Sequence, residues 1–247
     1  MGKQPPNIQF ALAVHTSQGW REKQDFGFRE GGRQSARQFR RFCAVLPTEF
    51  HRMEQEESAS SLKECEYQTP PTSDLLHLLL KNRHPTGPLN EVWPRVYIGN
   101  ASTAQDKDAL LSLGITHVVN AAHGPHHINT GAEFYTGTGI SYYGIEAPDH
   151  QDFNLTPYFS PTAKFIQSAL SHKGKVFVHC ARGISRSATL VLAFLIICEK
   201  LTLVEAIKAV RQHRNVLPNV GFLNQLRDLD KTLYAGRRTE QERDVQR

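Results

Sequence analysis

The residues best suited to chemistry sit in one run, His179-Cys180-Ala181-Arg182-Gly183-Ile184-Ser185-Arg186-Ser187. A cysteine with an arginine six positions on and a glycine between them suits the capture and attack of a phosphoryl group. A loop feeding a helix N-terminus aims successive backbone amides at one point, and the helix dipole adds positive potential there. That field stabilises an anion, so the Cys180 thiol is expected to ionise below the usual value of about 8.5 and act as a nucleophile. Arg186 returns its planar guanidinium to bracket two phosphoryl oxygens. Ala181, Arg182, Gly183, Ile184, Ser185 and Arg186 form the candidate substrate cradle, with Gly183 permitting a tight turn. Ser187 is placed to donate to the sulfur and ease its departure, and His179 to fix the loop rather than act as a base. In a chain of this composition, the His-Cys-x-x-Gly-x-x-Arg pattern is expected by chance roughly 0.002 times.

Such a loop needs a strand before it and a helix after it, and both are legible. KVFVH (175–179) is a short apolar strand, and an apolar helix follows from Ser187 to about Lys200. RVYIG (95–99), ITHVVNAA (115–122) and SYYGIE (141–146) are further strands. Helices are expected over Asp74–Lys81 with Ser73 as cap, from Ser102 to Leu113 with Gln105 reciprocating and Gly114 as stop, and from Ser160-Pro161 to near Gly174. Thr202 and Glu205 form a capping box for a helix to Arg214, and a last helix starts near Val220. Strands alternating with helices, each strand apolar throughout, predict an α/β fold: a mostly parallel or mixed central sheet flanked by helices on both faces.

Residues 1–70 have a different texture, rich in Gln, Arg, Glu and Ser without sustained periodicity, and are read as a disordered N-terminal extension. Within it Arg37, Arg40 and Arg41 read as a solvated run. Residues 71–236 form the expected folded domain, and 237–247 a polar C-terminal tail. A net charge of +5 suits an acidic substrate, but no concentrated basic face points to nucleic acid. Cys43, Cys65, Cys180 and Cys198 show neither CxxC pairing nor metal-ligand spacing, which fits a reducing compartment. The longest apolar run, Leu190 to Cys198, falls well short of the roughly 20 residues needed to span a bilayer. Ile8–Val14 lacks the flanks of a signal peptide, and Pro6 stands where myristoylation expects Ser or Thr. The location expected is cytoplasmic, with the nucleus also open. His123, His126 and His127 flank Gly124-Pro125 and read as a polar connection rather than a metal site.

With its HCxxGxSRS loop, the chain resembles the atypical dual-specificity phosphatases of the protein-tyrosine-phosphatase superfamily. The likeness covers roughly residues 70–236 and is close in VWPRVYIG, GITHVVNAA, YYGIEAPD, SRSATLVLAFL, TLVEAI and LPNVGFLNQLRDLD. It implies a two-step hydrolysis of phosphotyrosine and phosphoserine/threonine through a phosphocysteine, no cofactor or metal, and phosphorylated proteins as partners. The family's general acid is an aspartate about thirty residues before the cysteine. Asp149, in Ala147-Pro148-Asp149, lies 31 residues ahead of Cys180 and takes that place, with Asp152 as its competitor. Asn219 matches a position that supports the loop, and it equally suits the N-cap of the last helix. Ala181 and Arg182 depart from the more acidic or apolar occupants of some relatives, and the Arg182 charge at the rim is expected to favour acidic flanking sequence. Residues 1–70 are too short for the regulatory domain of kinase-directed relatives. The alternatives are a phosphoprotein-binding scaffold without turnover, which needs neither nucleophile nor acid, and a lipid or RNA phosphatase. Lipid-directed members carry loop lysines, and Ala181 and Ile184 supply none.

Overall fold

Five short strands, most of them alternating apolar residues to two buried faces, make one sheet in the order β1-β2-β5-β3-β4. They are β1 (Leu89–Trp93), β2 (Val96–Gly99), β3 (His117–Asn120), β4 (Ser141–Gly144) and β5 (Val176–His179). The computed structural model describes residues 67–83, 86–124 and 128–245. The expectations for residues 1–66, including Arg37, Arg40 and Arg41, and for His126 and His127 fall outside them. β2, β5, β3 and β4 run parallel, and only β1 is antiparallel, joined to β2 through Pro94 and Arg95. β1 was not anticipated from the sequence: Pro88 and Pro94 bracket it, and its register shifts between Glu91 and Trp93. Prolines and a bulge are tolerated on an edge strand, where they mask its periodicity.

The helices are α1 (Thr72–Leu80), α2 (Ala101–Gln105), α3 (Lys107–Ser112), α4 (Phe159–Ser171), α5 (Arg186–Ile197), α6 (Leu203–Arg211) and α7 (Val220–Val245). Successive side chains in each strand face opposite ways. Val96, Ile98, Val119, Val176 and Val178 therefore join the larger core with α4, α5, α6 and α7. Tyr97, Val118 and Phe177 join a smaller layer with Ala104, Leu110 and Tyr135 on the other face. α5 is buried all round except at its last residue, as befits a helix at the centre of a domain. Among the described residues, no helix is long and apolar enough to cross a membrane.

Three local expectations differ. The single helix expected over residues 102–113 is two: Asn100 caps α2 by accepting from the Thr103 amide, and Asp106 restarts the chain as α3 by accepting from Ala109. An Asp that satisfies orphan amides at an N-cap competes with helix continuation. Ser73 lies inside the first turn of α1 and bonds Asp74, while Pro71 holds the cap position. The 237–245 stretch continues α7 as helix rather than leaving it as a tail.

α7 is pinned by a buried carboxylate. Asp230 is fully buried; its Oδ2 accepts from the Tyr67 hydroxyl at 2.7 Å and the Thr69 hydroxyl at 2.5 Å, and its Oδ1 from the Leu203 amide at 3.0 Å. One side chain thus ties residues 67–69 and the start of α6 to α7. Burial, then the hydrogen bond and charge of Asp230, push the Tyr67 hydroxyl's pKa up. Asp230→Ala strands these donors and is expected to cost about 2–4 kcal/mol in denaturant unfolding. A loss under about 0.5 kcal/mol would contradict this account of the contact.

Candidate active site

Parallel register sets the site. Gly99, His179 and Asn120 are aligned across β2, β5 and β3, and Asn120 pairs with Gly144 of β4. The chain leaves β5 into the Cys180 loop and β4 into the Asp149 loop at this same carboxyl edge, where open α/β sheets gather their functional loops.

The conformation of the Cys180 loop follows from where its carbonyls go. Ala181 O accepts from the Ala101 amide, Ile184 O from the Leu217 amide, and Ser185 O from the Thr189 amide and hydroxyl. Arg182 O and Gly183 O accept from the buried Arg214, through Nη2 at 3.2 Å and Nε at 2.8 Å. Five successive carbonyls are thus satisfied outside the loop, which leaves its amides free to face inward. The Gly183 amide donates to Cys180 Sγ at 3.3 Å. Gly183 itself has φ +68°, and a Cβ there would stand 2.4 Å from Gly99 O, so both conformation and space demand glycine.

Cys180 is 2% exposed and lies at the floor of a cavity of about 220 Å³. Ala181, Arg182, Ile184, Ser185 and Arg186 line it, with Asp149 and Leu217 at the rim. Burial opposes ionisation of the thiol and is the largest single influence. The Ser187 hydroxyl at 3.4 Å, the Ser187 amide, the Arg186 charge and the Ile184 amide together outweigh it and hold the pKa below the ordinary thiol value. Cys198 shows the contrast: burial, then the Glu199 charge, push its thiol upward.

Arg186 is buried, its Nη1 donating to Ala147 O at 2.8 Å and its Nε 3.6 Å from Asp149 Oδ2. Asp149 Oδ1 accepts from the Ser185 hydroxyl at 2.7 Å and from Asn219 Nδ2 at 3.0 Å. The two readings left open for Asn219 coexist, since its Oδ1 also accepts from the Phe222 amide and caps α7. Asp152 stands apart, its side chain 79% exposed and 3.4 Å from His150. His123 shares Nδ1 with the Tyr142 hydroxyl at 2.9 Å. Cys180, Arg186, Ser187, Asp149, Ser185 and Asn219 are therefore brought together, while Arg182 keeps its side chain exposed.

His179 is fully buried and stacked on Phe177. Burial brings its pKa down from 6.5 to about 4, the Cys180 backbone pulling the other way and the Arg186 charge adding to the drop. A folded pKa below the unfolded value means stability that is complete above 6.5 and lost as pH falls towards 4, worth about 3 kcal/mol across that window. Imidazole titration by NMR is expected to find the ring neutral down to about pH 5. A midpoint near the free value would refute it.

Arg214 is one residue that sequence reasoning missed. Besides two loop carbonyls it binds Gly87 O and Asn90 Oδ1. A side chain acting through backbone carbonyls far along the chain leaves no local spacing to find.

Together these parts offer an anion-binding loop, an ionisable nucleophile and a carboxyl group able to carry a proton. The family model "Dual specificity phosphatase, catalytic domain" matches residues 96–232. The chain is 54% identical over 175 residues to human Dual specificity protein phosphatase 13B, covering 70% of this chain and 87% of that one. The mouse protein of the same name is 52% identical over 169 residues, covering 68% and 85%. The crystal structure of human DUSP28 superposes with a TM-score of 0.53 at 27% identity, covering 60% of this chain and 97% of that one. More than half of the chain fits the catalytic-domain family, and that half holds the thiol, the arginine and the outward-turned carbonyls described above: the chain belongs to the dual-specificity protein phosphatases and is an enzyme of the atypical group.

Proposed function

We propose that the enzyme hydrolyses phosphotyrosine and phosphoserine/threonine in proteins through a phosphocysteine on Cys180. The observation that carries this reading is the thiol's setting: buried at the floor of the loop, held below its ordinary pKa, with Arg186 beside it. The loop amides and Arg186 hold three phosphoryl oxygens. The Cys180 thiolate attacks phosphorus, the bond from phosphorus to the substrate oxygen breaks, and Asp149 delivers a proton to that oxygen. Water then attacks the phosphocysteine and gives its proton to the Asp149 carboxylate. The thiolate leaves, stabilised by the Ser187 hydroxyl, and inorganic phosphate departs. The positive charge comes from Arg186 and the backbone amides.

The broad range follows from the family, and the pocket of about 220 Å³ lined by the loop, Asp149 and Leu217 is the space that either phosphorylated side chain would enter. Arg182, exposed beside it, favours acidic flanking sequence. Single-turnover rapid quench tests the proposal, using a phosphotyrosyl peptide, a phosphothreonyl peptide and a phosphoinositide. The expected result is phosphate on Cys180 with both peptides. Label on another residue, free phosphate without a labelled intermediate, or faster labelling by the lipid would defeat it.

A further inference from the structure

The loop that carries Asp149 runs from the end of β4 to the turn of helix at Thr156–Tyr158, with no strand or helix between. It nevertheless lies against the start of α7 at three successive points. Asn219 Nδ2 reaches Asp149. Two residues on, the helix approaches so closely that a Cβ on Gly221 would stand 1.8 Å from Gln151 O. Gly221 has no positive φ that would call for glycine, so space is what the position requires. Four residues on, the same helix face presents Gln225. Its Oε1 accepts from the Leu155 amide at 2.8 Å, and its Nε2 donates to Phe153 O at 2.8 Å. A single side-chain amide thus satisfies both a donor and an acceptor of otherwise irregular backbone.

We propose that Gly221 and Gln225 are positioning residues for the acid: α7 acts as a fixed splint that sets the height and direction of the Asp149 carboxylate before substrate arrives. This rests on reading Asp149 as the general acid. The splint is itself immobilised, by Asp230 at residues 67–69 and α6, and by Arg227 donating to Pro70 O. A proton donor held this way needs no closing lid. It does depend on tolerances below an ångström, because proton transfer falls off steeply when the donor is misplaced.

Leaving-group chemistry separates positioning of the acid from general support. Dinitrophenolate departs readily without a proton; phenolate, whose conjugate acid resembles tyrosine at about 10, does not. In the full chain, Gln225→Met keeps the length of the side chain and removes both hydrogen bonds, and Gly221→Ala forces the Gln151 carbonyl away. Each is expected to lower kcat on phenyl phosphate about 10-fold or more beyond its effect on dinitrophenyl phosphate, and to flatten the basic limb of the pH profile. Asp149→Asn is the reference. If it widens the ratio of the two substrates while Gln225→Met and Gly221→Ala lower both equally, the positioning role is overturned. If Asp149→Asn fails to widen it, the reading of Asp149 as acid falls and this inference with it. Should Gln225→Met be too unstable to assay, Gly221→Ala decides alone.

Discussion

Cys180→Ser is expected to leave a folded protein that still binds phosphopeptide and oxyanions while turnover drops on the order of 10⁴-fold or more, the scale seen when a covalent nucleophile is removed. The reason lies in what the loop does to each atom. Its carbonyls are committed to Ala101, Arg214, Leu217 and Thr189, and its amides converge on the floor of the pocket. Oxygen in place of sulfur leaves that arrangement and the Arg186 guanidinium intact, so the affinity for an anion survives. The hydroxyl stays protonated at neutral pH, because the same field that brings a thiol below its ordinary pKa starts from a far more basic oxygen. Ser187 and the amides of Ser187 and Ile184 then face a neutral, weak nucleophile. Isothermal titration with vanadate and single-turnover kinetics check both halves. Residual turnover within about tenfold of the parent would remove Cys180 from its role. Lost oxyanion binding would mean that the sulfur, rather than the amides, shapes the cradle.

The site was legible to different depths. The Cys180 loop could be read because its parts lie within nine residues and each type has a strict requirement, down to the glycine whose Cβ would meet Gly99 O. The strand and helix around it were equally plain, because burial on all sides makes their sequences uniformly apolar. Asn219 was only half legible: both of its uses were foreseen as alternatives, whereas the amide and the carbonyl of one side chain serve them together. Arg214 and Gln225 were not legible at all. Each acts on backbone groups of distant segments, and backbone has no sequence to match. β1 escaped for a related reason, since it owes its place to pairing with β2 rather than to a period of its own. The break at Asp106 is the local counterpart: a helix-compatible pattern hid a residue whose side chain prefers to cap.

Asp149→Asn is expected to depress kcat by about 10²–10⁴-fold on a substrate with a poor leaving group, with little change in KM and a flattened basic limb of the pH profile. The limb follows from the required protonation state: the first step uses the acid form, so activity declines as that carboxyl loses its proton, and a variant without the carboxyl has no such decline. Geometry favours this residue over its neighbour. Asp149 sits at the pocket rim, 3.6 Å from Arg186 Nε, with the Ser185 hydroxyl and Asn219 amide fixing its other oxygen. Asp152 is solvent-exposed beside His150 and lines no part of that pocket. Asp152→Asn is therefore expected to change kcat less than about twofold, as exposed substitutions away from a site do. Reversal of the two results would move the proton donor to Asp152. A third result discriminates further: Asn at position 149 keeps an Oδ1 that accepts from Ser185 and from Asn219 Nδ2, and the α7 cap, made by Asn219 Oδ1 with the Phe222 amide, does not involve residue 149, so the melting temperature should stay close to that of the parent. A drop in kcat accompanied by a large loss of stability would mark Asp149 as a structural keystone of the loop instead of the group that passes the proton.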